Sequence, residues 1–171
     1  SIKPWLSNRV KPWLMISVVV LTTACSTGGT SDKHYRRGLQ LAGQNLSAEA
    51  MREYLLAIEA DDNMEAVMKS ASELGHLSMN QHDLSEAHTY FEQAWLLATE
   101  HNYRSQMVLA QRDLGRCYRT EGLTAESIRC FERADSLLRT FGADSLRVYV
   151  YPEYVSLLMG EGRVEEAHQL V

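Results

Sequence analysis

Three arginines, Arg112, Arg116 and Arg119, stand at i, i+4 and i+7, a spacing that puts them on one face of a helix. Guanidinium forks suit carboxylates, which they engage with two parallel hydrogen bonds. The stripe therefore has two readings: a site for an acidic peptide or a C-terminal carboxylate, or a solvated helix face paired with nearby Asp113 or Glu121. The other reactive side chains form no set. The six histidines (His34, His76, His82, His88, His101 and His168) offer no two-ligand metal spacing on one helix face. Cys25, Cys117 and Cys130 have no CxxC spacing. A Cys117–Cys130 disulfide is conceivable in an oxidising compartment, and two free buried thiols are the simpler expectation. No nucleophile with a base, no phosphate-binding loop and no carboxylate pair stands out, so the reading is non-enzymatic, with no catalytic residue, cofactor or metal.

The elements that must position the stripe repeat along the chain. A small residue is followed twelve positions later by another, then by an aromatic after four more and an alanine after a further three. Gly38, Ala50, Tyr54 and Ala57 form one such set; Gly75, Ala87, Phe91 and Ala94 a second; Gly115, Ser127, Phe131 and Ala134 a third. Val155, Ala167 and Val171 begin a fourth. Phe and Tyr together make up less than a tenth of average usage, so three matches in register are not a chance pattern. Each set reads as two antiparallel helices. The small residues let the axes cross closely, and the aromatic fills the groove toward the following unit. Polar turns at Asn45-Leu46-Ser47, Gln81-His82-Asp83 and Glu121-Gly122-Leu123-Thr124 lie inside the hairpins, with Ser47, Thr124 and Asp83 or Ser85 as expected N-caps. Asp144 or Ser145 is the expected cap of the helix carrying Tyr149 and Val150.

This arrangement resembles the tetratricopeptide repeat across about residues 31–171, although the Trp that opens that repeat and the Pro that closes it are absent from every unit. The resemblance implies an all-α solenoid of antiparallel helix hairpins in a right-handed superhelix, with units at about 32–62, 63–101, 102–141 and 142–171. It also implies an inner wall lined by the first helix of each unit, to which peptides bind. Carried onto this chain, that wall includes Lys69, His76 and Asn80 from the second unit and Arg112, Arg116 and Arg119 from the third. Tyr35 and Leu39 occupy the positions where the family's carboxylate clamp needs Lys and Asn, so chaperone tails are not the implied partner.

The first thirty residues follow other rules. Arg9 and Lys11 precede an apolar run from Trp13 to Leu21, which ends in Thr22-Thr23-Ala24-Cys25. This is the pattern of a secretory signal peptide over 1–24, and the run is shorter than the roughly 20 residues of a membrane-spanning helix. A cysteine directly after the small residue resembles a bacterial, Bacteroidetes-like lipoprotein signal, although Thr22 replaces the usual Leu. That resemblance implies lipidation of Cys25, with 25–31 as a flexible tether and Ser26 favouring the outer membrane, facing the periplasm. Two or more acyl chains hold a protein on a bilayer stably.

Composition sets outer bounds. The chain has 171 residues, is 45% hydrophobic and carries a formal net charge of -5, which argues against a nucleic-acid partner. Ser1 in place of Met, and a helical pattern still running at Val171, read as a fragment. The sequence thus points to an exported, membrane-anchored protein-interaction scaffold with a protein or peptide partner. The alternatives are the sensory front of a longer membrane-bound transcriptional regulator, or the non-catalytic part of a longer enzyme.

Overall fold

A computed structural model describes residues 29–170. The expected signal peptide and Cys25 lie outside the described residues. Eight α-helices follow one another: α1 (Thr30–Gly43), α2 (Ser47–Ala60), α3 (Met64–Asn80), α4 (Leu84–Glu100), α5 (Arg104–Glu121), α6 (Thr124–Phe141), α7 (Arg147–Gly160) and α8 (Val164–Gln169). They pack as consecutive antiparallel pairs, α1 with α2, α3 with α4, α5 with α6 and α7 with α8. The all-α hairpin solenoid expected from the sequence is the architecture observed. The leading helices α1, α3, α5 and α7 also touch one another in succession, while the trailing helices meet chiefly the leading helix of the next unit. The leading helices therefore form the inner wall.

Ring-on-glycine contacts set the crossings. Tyr54, Phe91 and Phe131 are fully buried. Each ring lies across the glycine of its own unit: a Cβ built on Gly38, Gly75 or Gly115 would fall 2.4, 2.5 or 2.9 Å from Tyr54, Phe91 or Phe131. The expectation that the aromatic serves the following unit is thus only half of its role. The same rings also meet the next leading helix, since Phe91 shares a cluster with Leu114 and Cys117, and Phe131 stacks on Tyr154 at 5.5 Å. Ala50, Ala87, Ser127 and Ala167 are buried at the second small position. Ser127 is accommodated because its hydroxyl donates to the Gly115 carbonyl at 2.7 Å. In the fourth unit Val155 replaces the glycine, and the neighbouring Tyr154 makes the stack instead.

The junctions share one geometry. Asn45, Asp61, His82, Asn102, Gly122, Gly142 and Gly162 have positive φ, one at each junction between successive helices. At six of the seven, the N–H of the following residue bonds the carbonyl five residues back, as in Leu46→Leu41, Asp83→Ser78 and Leu123→Tyr118. This is the Schellman closure of a helix C-terminus. At five of those six the donating residue is also the N-cap of the next α-helix, so the expected caps shift by one place. Ser47 and Thr124 are first helical residues, and Leu46 and Leu123 hold the N-cap without a capping side chain. Asp83 does cap, accepting from Glu86 N at 2.9 Å, and Asn63 caps α3 from its own N-cap position. Asp144 and Ser145 form a short 3-10 turn ahead of α7 and cap nothing.

The exceptional junction is the one after α2, where the backbone and side chain of Asp62 turn to the start of α1. Its carboxylate accepts from Thr30 N at 2.6 Å and Ser31 N at 2.8 Å, and its own N–H donates to Ser31 Oγ at 3.2 Å. Helix α1 has no cap of its own, because Gly29 precedes it. A Cβ on Gly29 would lie 2.6 Å from the Asp62 carboxylate, so glycine permits the approach. Thr30 and Ser31 are therefore helical and tied down, where a flexible tether was expected. The backbone N–H groups of Ser31 and Thr30 hold the Asp62 carboxyl at about 2, below its ordinary 3.8.

Two outcomes are expected. Gly75→Ala gains about 1 kcal/mol of helix propensity but overpacks a buried ring, at a cost of about 1–3 kcal/mol. It lowers the melting temperature, and adding Phe91→Leu recovers part of the loss. Gly43→Ala, with open space around it, does not destabilise. For Asp62 the lowered folded-state pKa means that its support of α1 is complete above pH 3.8 and vanishes as pH falls toward about 2. Hydrogen exchange of the α1 amides reads this, and Asp62→Ala raises their exchange at neutral pH while removing the acid dependence.

Candidate functional site

The inner wall is the surface on which the tetratricopeptide resemblance leads one to expect partner binding. Its positions follow from the ring-on-glycine register, because the side chains flanking each glycine on its leading helix point along the wall. Two residues before the aligned position stand Arg36, Glu73, Asp113 and Glu153; one residue after it stand Leu39, His76, Arg116 and Ser156. The acids at 73, 113 and 153 were not singled out from the sequence, although the same register carries them.

Asp113 is the centre of the charged network. Its side chain is 1% exposed. Arg112 turns back onto it, donating from Nε at 2.9 Å and from NH2 at 2.7 Å to Oδ1. His76, from the preceding leading helix, brings Nε2 to 3.4 Å from Oδ2. Arg116 lies 3.9 Å away through NH1 and reaches forward with Nε to Glu153 Oε2 at 3.2 Å. Arg119 donates to Ser156 Oγ at 3.3 Å. The expected arginine stripe is thus one face, as its spacing requires, and its members bind unit three to itself and to unit four.

The remaining expected wall residues stand apart from this network. Lys69 pairs with Glu65 at 2.6 Å, one turn away on α3. Asn80 is exposed at the end of α3. Of the six, His76, Arg112 and Arg116 are brought together, Arg119 adjoins them, and Lys69 and Asn80 do not meet them.

Glu73 is half-buried next to this network. Burial pushes its carboxyl above the ordinary carboxylate value; His76, the strongest charge effect, acts against that, Asp113 adds to it, and Arg112 opposes it. Burial chiefly, with Glu73 next, also raises the Tyr35 and Tyr54 hydroxyls. The Tyr54 hydroxyl, Ser70 Oγ and both polar atoms of the Gln111 side chain are buried without a hydrogen-bond partner among the described residues.

Elsewhere, His88 Nε2 and the Tyr118 hydroxyl are 2.6 Å apart across the α4–α5 contact. Cys117 and Cys130 are free and buried in one apolar cluster. Burial raises both thiols, Cys117 to about 11, which suits packing rather than reactivity. His82 is a positive-φ turn residue. Among the described residues no group of three metal-ligating side chains is close enough to hold an ion, and no helix is long and apolar enough to cross a membrane.

No protein-family model matches the chain, and no curated protein matches it in sequence. Solved structures do match it in fold. One is aspartyl phosphate phosphatase F from Bacillus subtilis, similar over 82% of this chain with a TM-score of 0.75 and 13% identity. The chain spans 38% of the length of that protein. At that identity the likeness establishes the fold alone, a tetratricopeptide-like helical repeat.

The geometry predicts an uneven response to arginine removal. Arg112→Ala strips two charge-assisted bonds from a buried carboxylate and lowers unfolding free energy by about 1–3 kcal/mol in urea titration. Arg119→Ala, exposed and bonded to a hydroxyl, changes it by less than about 0.5 kcal/mol.

Proposed function

We propose that the chain is an exported, membrane-anchored scaffold that takes protein or peptide segments along the wall formed by α1, α3, α5 and α7. One observation carries the scaffold reading: four leading helices touch in succession, and the side chains flanking their aligned small positions, polar except for Leu39, recur along one surface. Such a surface suits an extended segment read at several points, as helical-repeat arrays generally do. The proposed role is non-catalytic.

The anchoring part rests on the sequence of the first twenty-five residues. Lipid on Cys25 would place the repeat domain at a bilayer surface, in the periplasm by the pattern of the signal. The partner chemistry rests on the outer edges of Arg116 and Arg119. Arg119 is exposed, and Arg116 keeps a side-chain exposure of 37% while paired with Glu153, so both retain donors for a partner's carboxylate. Arg112, folded onto Asp113 and only 15% exposed, is a positioning residue for the wall.

Two measurements test these parts separately. Cys25→Ser moves the protein from the membrane to the soluble fraction; unchanged fractionation refutes the anchor. A partner recovered by crosslinking after mild detergent extraction is lost from the Arg116→Glu/Arg119→Glu variant with helicity intact. Retention of that partner removes the arginines from the binding surface.

A further inference from the structure

The inner wall is held together by a repeated ion pair, and one copy of it is incomplete. The base one residue after the small position of one unit meets the acid two residues before the small position of the next. His76 meets Asp113 in this way, and Arg116 meets Glu153. By the same register Glu73 calls for a base at 39. Leu39 stands there, 41% exposed. Among the described residues Glu73 forms no ion pair, although His76, one turn on along α3, and Arg112 act on it electrostatically, and Arg36, on the same helix as Leu39, is paired with Asp32 at 2.9 Å.

The same rung is exceptional in a second, independent respect. The buried rings of the second and third units are Phe91 and Phe131, whereas the first unit has Tyr54. Its hydroxyl is fully buried, lies within electrostatic reach of Glu73 and has no hydrogen-bond partner. Ser70 Oγ, one turn before Glu73 on α3, is likewise buried and unpartnered. A buried hydroxyl left unpaired is costly, and so is a carboxylate drawn out of water without a direct ion-pair partner. At the other two rungs the protein satisfies the carboxylate from within. At this one the Glu73 carboxylate has no ion-pair partner, and the Tyr54 and Ser70 hydroxyls in the core beneath the first two units are unpartnered.

We infer that the Glu73 rung, between α1 and α3, is a receptor for a cationic group of a bound peptide, which takes the place that His76 and Arg116 fill at the following rungs. The guest is a lysine or arginine side chain or a terminal amine. The exposed Leu39 offers apolar surface to the methylene stem of such a side chain, and Glu73 takes the charged head. This rests on the reading of the inner wall as a peptide-binding surface and adds the charge that one end of the peptide must carry: cationic over the first two units, anionic toward Arg119.

The test uses fluorescent nonapeptide pools that contain arginine, or the neutral isostere citrulline, at the same positions, each with a free or acetylated N-terminus. Anisotropy titration of the protein should show the arginine pool binding about tenfold more tightly than the citrulline pool. Glu73→Gln should bring the arginine pool down to the citrulline level. Leu39→Arg, which supplies the missing base, should weaken arginine-pool binding at least as much while raising the melting temperature, so that loss of binding is separated from loss of fold. Sensitivity to acetylation assigns the guest as the amine, and insensitivity assigns it as the side chain. Equal affinity for the two pools, unaltered binding in Glu73→Gln, or no binding of any pool overturns the inference. Loss of a crosslinked partner on reversal of Arg116 and Arg119, combined with indifference to Glu73, leaves the scaffold function standing and refutes this rung alone.

Discussion

An aromatic ring lying across a glycine is the contact on which this solenoid depends. It fixes how closely the two helices of a unit approach, because a β-carbon on the glycine would collide with the ring. It also fixes the register between units, since the far side of the same ring meets the next leading helix. One side chain per unit therefore sets the intra-unit crossing and the inter-unit step together. Helix propensity contributes little to such specification. Each hairpin leaves one apolar face uncovered, and stacking on the next hairpin covers it.

Once the crossing is fixed, the polar features follow from position. At five of the seven junctions the left-handed residue closes one helix and delivers the next residue as the N-cap of the following α-helix. A hydrophobe can fill that slot, as Leu46 and Leu123 do, or an aspartate can perform both tasks, as Asp83 does. Along the inner wall the residues that flank each small position are brought opposite those of the next unit. Charges placed there pair across units: His76 with Asp113, and Arg116 with Glu153.

The hairpin architecture was legible because its determinant is a sequence-local pattern, small to small to aromatic to alanine, repeated without a gap. The double role of the ring was not, because spacing along a helix says which face a side chain is on and nothing about how far a large ring extends past its own partner. The N-caps were misplaced by one residue for a related reason. Ser47 and Thr124 have the right chemistry, but the turn geometry assigns the cap to the residue before. The arginine stripe was legible as a face and its bonding was not. Arg116–Glu153 and Arg119–Ser156 join residues 37 apart, and they emerge only when the register is carried to positions beside the glycines. The link from Asp62 back to residues 30 and 31 left no signal, since it depends on where two loops arrive in space.

The inner-wall pairs bear on mechanics as well as recognition. A superhelix behaves as a coiled spring, and a change of pitch must slide each leading helix past its neighbour. Clips between α3 and α5 and between α5 and α7 oppose that sliding at two of the three successive contacts, whereas the charge pair is missing between α1 and α3. At the first contact shared apolar packing and the Asp62 link do this work instead. The Asp62 strut holds the foot of α1 to the loop before α3, so the motion permitted there is a pivot about that strut rather than a translation. At the α3–α5 and α5–α7 contacts the restraint sits on the wall itself; at the first it sits at the helix foot.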